Sequence, residues 1–136
     1  MRFAGMPISY NSSRQKCIAG SSTEAEIIAA SHAAFEIKYL RGLMAEMGFV
    51  MDAPTVLHVD NSGAVELSKD RKSCHRSRHV DRRFFKVREL AFEGHLAVQH
   101  IDTKLNSSDL LTKPLPLPVY LQHRARLMNL PMRSHA

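Results

Sequence analysis

A chain of 136 residues, 44% hydrophobic and 24% charged, has the size and composition of one globular domain with its own core. Its two cysteines, Cys17 and Cys74, are too few for a disulfide scaffold or a four-thiolate zinc site, and a reducing compartment suits them as ordinary thiols. No run approaches the roughly 18 consecutive apolar residues of a membrane span, and no apolar segment follows Arg2, so neither membrane anchoring nor secretion is expected.

In chain order, Met1–Tyr10 predicts a strand, a turn around Gly5-Met6-Pro7 and a second strand through Ile8-Ser9-Tyr10. Ser21…Glu24 and Thr23…Glu26 both have capping-box spacing and predict a helix start. Ala30, Ala33, Ile37, Leu40, Met44 and Met47 form its apolar stripe, and Gly48 stops it. Thr55–Asp60 is a β-branched run ending in an acid, followed by a turn at Asn61-Ser62-Gly63 and a short helix through Ala64–Lys69. Ser77–Glu93 predicts a second long helix with Val80, Phe84, Val87 and Ala91 on its stripe, ended by Gly94. Leu96–Ile101 reads as a strand, and Asn106-Ser107-Ser108 caps a short helix that carries Asp109. The Pro114, Pro116 and Pro118 series breaks that helix, and Val119–Leu130 predicts a terminal one. Strands and helices interleave, so the expected class is a mixed α/β layer fold.

Charge is uneven along the chain. Residues 1–70 carry 6 basic and 8 acidic side chains, whereas residues 71–136 carry 13 and 5. Within Arg71–Arg88 eight Lys or Arg face the single acid Asp81, which suits either a solvated helix face or contact with phosphates. The Cys74-His75-His79 group is short of the four ligands of a structural zinc site, and neither cysteine has the context of a nucleophile.

Three acids stand at element ends, where chemistry is usually placed: Glu24, Asp60 and Asp109. Clustered carboxylates suit hard cations such as Mg²⁺, and two such ions can serve phosphodiester hydrolysis. Each acid also has a plain structural role open to it, as a capping-box glutamate, a helix cap or a first-turn acid. Spacing alone does not place the three together.

Four local words occur in order: Ser21-Ser22-Thr23-Glu24-Ala25-Glu26, His58-Val59-Asp60-Asn61-Ser62-Gly63-Ala64, Ser77-Arg78-His79-Val80-Asp81, and Ser108-Asp109-Leu110-Leu111-Thr112-Lys113-Pro114-Leu115. Together they closely resemble the ribonuclease H region at the C-terminal end of copia-type retrotransposon polyproteins, from about Phe3 to Leu130. The resemblance implies a ribonuclease H-like mixed sheet flanked by helices over residues 1–112, then a Pro-rich connector and C-terminal helix over 113–136. It implies Glu24, Asp60 and Asp109 as catalytic, metal-holding carboxylates, with two Mg²⁺ or Mn²⁺ ions in a complete site. Glu26 is passed over because that position in ribonuclease H relatives is usually not an acid.

The same resemblance assigns hydrolysis of the RNA strand of RNA–DNA hybrids during reverse transcription, with Arg71, Lys72, Arg76, Arg78, Arg82, Arg83 and Lys86 on the hybrid's phosphates. The reverse transcriptase region of the same polyprotein is the implied partner, in a cytoplasmic particle or the nucleus, with no membrane. Relatives carry a first catalytic aspartate on a central strand upstream of Phe3, and no acid precedes Glu24 here. A chain lacking that strand is expected to be a poor nuclease and to self-associate through open sheet edges. Cys74-His75 and Phe85 also depart from the family words. The alternatives are a non-catalytic nucleic-acid-binding remnant and a fragment without function; hybrid cleavage and hybrid binding separate the three.

Overall fold

A computed structural model of the chain describes residues 1–13, 19, 21–69 and 78–131, with the backbone alone for 67–69 and 78–84. The elements in order are β1 (Arg2–Phe3), β2 (Met6–Pro7), α1 (Ser22–Glu46), β3 (Thr55–Val59), α2 (Ser62–Lys69), α3 (Arg78–Phe92) and β4 (Leu96–His100). Two 3₁₀ turns, Thr103–Leu105 and Ser107–Leu111, and helix α4 (Leu117–Leu127) follow. The mixed α/β class expected from the interleaved pattern is what forms. The chain divides into two compact units, residues 1–16 with 102–136, and residues 17–101.

In the larger unit β3 and β4 pair in parallel, Thr55 opposite Leu96 through Val59 opposite His100. Parallel neighbours need a crossover, and α2 and α3 lie within it. Helix α1 packs on α3, β3 and α2. Ile27, Val59, Ala64 and Val65 form the core, with Ala30, Leu57 and Val98 against it. Leu90 and Leu96 are fully buried.

Both long helices end on the same hydrogen-bond pattern. Past α1, Gly48 N–H donates to Ala45 and Phe49 N–H to Met44; past α3, Gly94 N–H donates to Ala91 and His95 N–H to Leu90. This Schellman closure needs a left-handed residue between the bonds, and Gly48 and Gly94 supply it at φ +86° and +76°. Between α1 and β3, the Arg41 guanidinium donates to the carbonyls of Ala53 and Met51 and to the Thr55 hydroxyl, at 2.8, 2.6 and 3.1 Å.

Two of these expectations are corrected here. The second strand starts at Met6 rather than Ile8, because Ala4 and Gly5, both at positive φ, make a two-residue turn that pairs Phe3 with Met6. The buried face of α1 is Ile27, Ile28, Ser31, Ala34 and Ile37, rotated from the expected stripe; Met47 is 63% exposed. A polar Ser31 hid that face, yet its hydroxyl donates to the Ile28 carbonyl at 2.8 Å and so tolerates burial. On α3, Val87 is buried as expected, and Leu90 is the deeper anchor.

In the smaller unit β1 and β2 form a hairpin, and α4 packs on the Ser107–Leu111 turn. The short helix expected around Asp109 is this 3₁₀ turn: Asp109 N–H reaches back three residues to the Asn106 carbonyl. Pro114 forbids its growth into an α-helix.

Candidate functional site

Two acid-bearing segments meet in the larger unit. Ser21 caps α1, its hydroxyl accepting the Glu24 N–H at 3.1 Å, which sets Glu24 in the first helical turn. Asp60 directly follows β3, and Asn61 caps α2: its amide oxygen accepts the Ala64 N–H at 3.0 Å and its carbonyl the Val65 N–H. With the oxygen so committed, the Asn61 amide nitrogen donates to the Thr23 hydroxyl at 3.4 Å. A Cβ on Gly63 would stand 3.2 Å from that amide oxygen, a tight approach, and 3.7 Å from the Thr23 methyl, an ordinary contact. The starts of α1 and α2 are thus tied side by side, one residue from Glu24 and one from Asp60. Helix N-termini carry partial positive charge and favour carboxylates nearby.

Asp109 belongs to the smaller unit. Asn106 caps its turn, the side-chain oxygen accepting the Ser108 N–H at 3.1 Å. Asp109 is 8% exposed, and the Lys113 ammonium donates to both of its carboxylate oxygens at 3.0 Å. On α4, His123 is buried, and His123 Nδ1 and Arg126 Nη1 have no hydrogen-bond partner among the described residues.

Glu24 and Asp60 therefore share one unit and Asp109 lies in the other. Among the described residues no group of three or more His, Cys, Asp or Glu is arranged to hold a metal ion. The donor set described does not by itself make a cation site.

Of the expected phosphate contacts, Arg71, Lys72 and Arg76 lie outside the described residues, as do Cys74 and His75. Arg78, Arg82 and Arg83 fall on α3. Lys86 forms a short ion pair with Glu89, one turn on. The pair's hydrogen bond, more than the charges alone, raises the lysine above its ordinary pKa and lowers the glutamate below its own. Phe85 is 67% exposed.

Two contacts escaped sequence reasoning for different reasons. Thr23 and Asn61 are too far apart in sequence for any spacing rule to join them. Asp109 and Lys113 are four apart, and that spacing alone suggests an ion pair.

No protein-family model and no solved structure matches the chain. It is 38% identical over 114 residues to the retrovirus-related Pol polyprotein from transposon TNT 1-94 of Nicotiana tabacum, covering 84% of this chain and 8% of that protein. The Pol polyproteins from transposons RE2 and RE1 of Arabidopsis thaliana are each 34% identical over 109 residues, or 80% of this chain. The chain spans only 7–8% of the length of these relatives. No helix among the described residues is long and apolar enough to cross a membrane. The chain is thus similar to one short segment of the retrovirus-related Pol polyproteins of these transposons.

Proposed function

We propose that the chain is a ribonuclease H-type segment of such a polyprotein, acting on the RNA strand of RNA–DNA hybrids with Glu24, Asp60 and Asp109 as its acidic residues. The observation that carries this reading is the Thr23–Asn61 hydrogen bond, which draws together two of the four sequence words, each beside its acid. Mg²⁺ or Mn²⁺ is the cofactor the reading requires. The basic residues from Arg71 to Lys86 would hold backbone phosphates, a sequence-independent contact suited to a hybrid of any sequence.

Hybrid binding without cleavage is a second reading, favoured by one contact: both oxygens of Asp109 are already engaged by Lys113. The test is a hybrid labelled on its RNA strand, incubated with the chain and Mg²⁺. Slow appearance of shortened RNA, lost with chelator and with Asp60→Asn or Asp109→Asn, is the expected result. Binding without shortened RNA supports the second reading, and absence of both overturns the two together.

A further inference from the structure

Helix α1 buries one side and exposes the other. Phe35, Tyr39 and Leu43, spaced four apart and so on one face, are 52%, 66% and 40% exposed. Large apolar side chains in a row on one exposed helix face make a patch, unlike the scattered exposure that is ordinary for single residues. His32 and Glu46, both exposed, stand seven positions to either side of Tyr39 and so on its line along the helix. Gly42 is exposed on the same side, and a Cβ there would meet nothing within 4 Å among the described residues. Glycine inside a helix is destabilising relative to alanine, and no contact among the described residues accounts for this one.

We infer that this face docks on the same face of a second copy of the chain, the two α1 helices antiparallel about a two-fold axis at Tyr39. That arrangement sets Tyr39 against Tyr39, places Phe35 of each copy beside Leu43 of the other, and sets His32 of each against Glu46 of the other. The last pairing is complementary, because an imidazole always has an N–H to donate and a carboxylate accepts it. Base therefore meets acid twice across one two-fold interface, where every contact occurs in duplicate. A parallel pair would instead set Glu46 against Glu46, and like charges across a helix seam repel. Gly42, one turn from Tyr39, leaves room at the seam for the other copy's phenol ring. Burial of Phe35 and Leu43 favours association. The seam spans about four helical turns, small for an interface, so micromolar association is expected rather than tighter.

The test is sedimentation equilibrium of the full 136-residue chain over a concentration series, with circular dichroism to follow helix content. The parent is expected to rise from the mass of one chain toward that of two, and to stop there. Tyr39→Glu, at an exposed position, should keep the parent's helix content and raise the dissociation constant at least about tenfold. His32→Glu alone sets acid against acid, and Glu46→Lys alone sets an amine against the imidazole, so each should weaken the dimer. The double variant His32→Glu with Glu46→Lys restores opposite charges across the antiparallel seam and should regain most of the lost affinity. A dimer that Tyr39→Glu leaves intact, or a double variant no tighter than either single one, overturns the proposal and moves self-association to another surface, such as a strand edge. A parent that stays monomeric at every concentration, or that grows beyond two copies, overturns it as well.

Discussion

The amide nitrogen of Asn61 donates to the hydroxyl of Thr23 at 3.4 Å, tying the first turn of α1 to the cap of α2. Asn61 serves both partners at once, because its oxygen faces Ala64 and its nitrogen faces Thr23. Thr23→Val keeps the shape and deletes the acceptor, and is expected to cost about 0.5–1.5 kcal/mol. Asn61→Ala also deletes the helix cap and should cost about 1–2 kcal/mol. Because they share one bond, the double variant should lose less than the two losses added. Urea unfolding measures all three; strict additivity would mean that the bond contributes nothing.

On α3, burial separates two large apolar residues only five positions apart. Leu90 is fully buried and Phe85 is 67% exposed. Leu90→Ala should destabilise by about 2–5 kcal/mol, through the apolar surface no longer buried and the cavity left behind. Phe85→Ala should stay within about 0.5 kcal/mol. Equal losses in chemical denaturation would mean that α3 does not bury the face described.

Arg78 and Arg82 stand one helical turn apart on α3. Replacing both with Gln should weaken hybrid binding uniformly across sequences and reduce the salt slope by about 2, one for each phosphate that is no longer neutralised. The measurement is hybrid affinity by fluorescence anisotropy across a salt series. An unchanged slope removes these two residues from the interface.

The Lys86–Glu89 pair gives stability a pH window. Glu89 is lowered from 4.5, so its contribution is present above that value and fades as pH falls through its lower folded pKa. Lys86 is raised from 10.5, so its contribution is present below that value and fades as pH rises through its higher folded pKa. The melting-point difference between the parent and Glu89→Gln should therefore be largest near neutrality and shrink at both ends. A difference independent of pH would place the effect of the substitution outside this pair.

The sequence announced what is local. Ser21 and Glu24 mark the start of α1, Gly48 and Gly94 its end and that of α3, and Thr55–Val59 is strongly β-branched. These features act within one turn or one strand, where propensity decides. The sequence concealed what tertiary packing decides. Ser31 is polar by composition but buried through its bond to Ile28, so no apolar periodicity pointed to it. The site divides in the same way. Glu24, Asp60 and Asp109 could be picked out as acids at element boundaries. The Asn61–Thr23 bond and the burial of Asp109 exist only once the chain has folded.

The parallel ladder also has an entropic consequence. Every rung of β3 and β4 joins residues 41 positions apart, residue 55 to residue 96 and onward. Closing a loop of that size costs about 3 kcal/mol in chain entropy, plus a constant, before any rung offsets it. The turns of α1 close on neighbours four residues away and carry no such penalty. Contacts within α1 and α3 therefore carry a smaller entropy cost than those of the ladder. Lengthening the chain between β3 and β4 should therefore be well tolerated, since doubling the loop adds only about 0.6 kcal/mol.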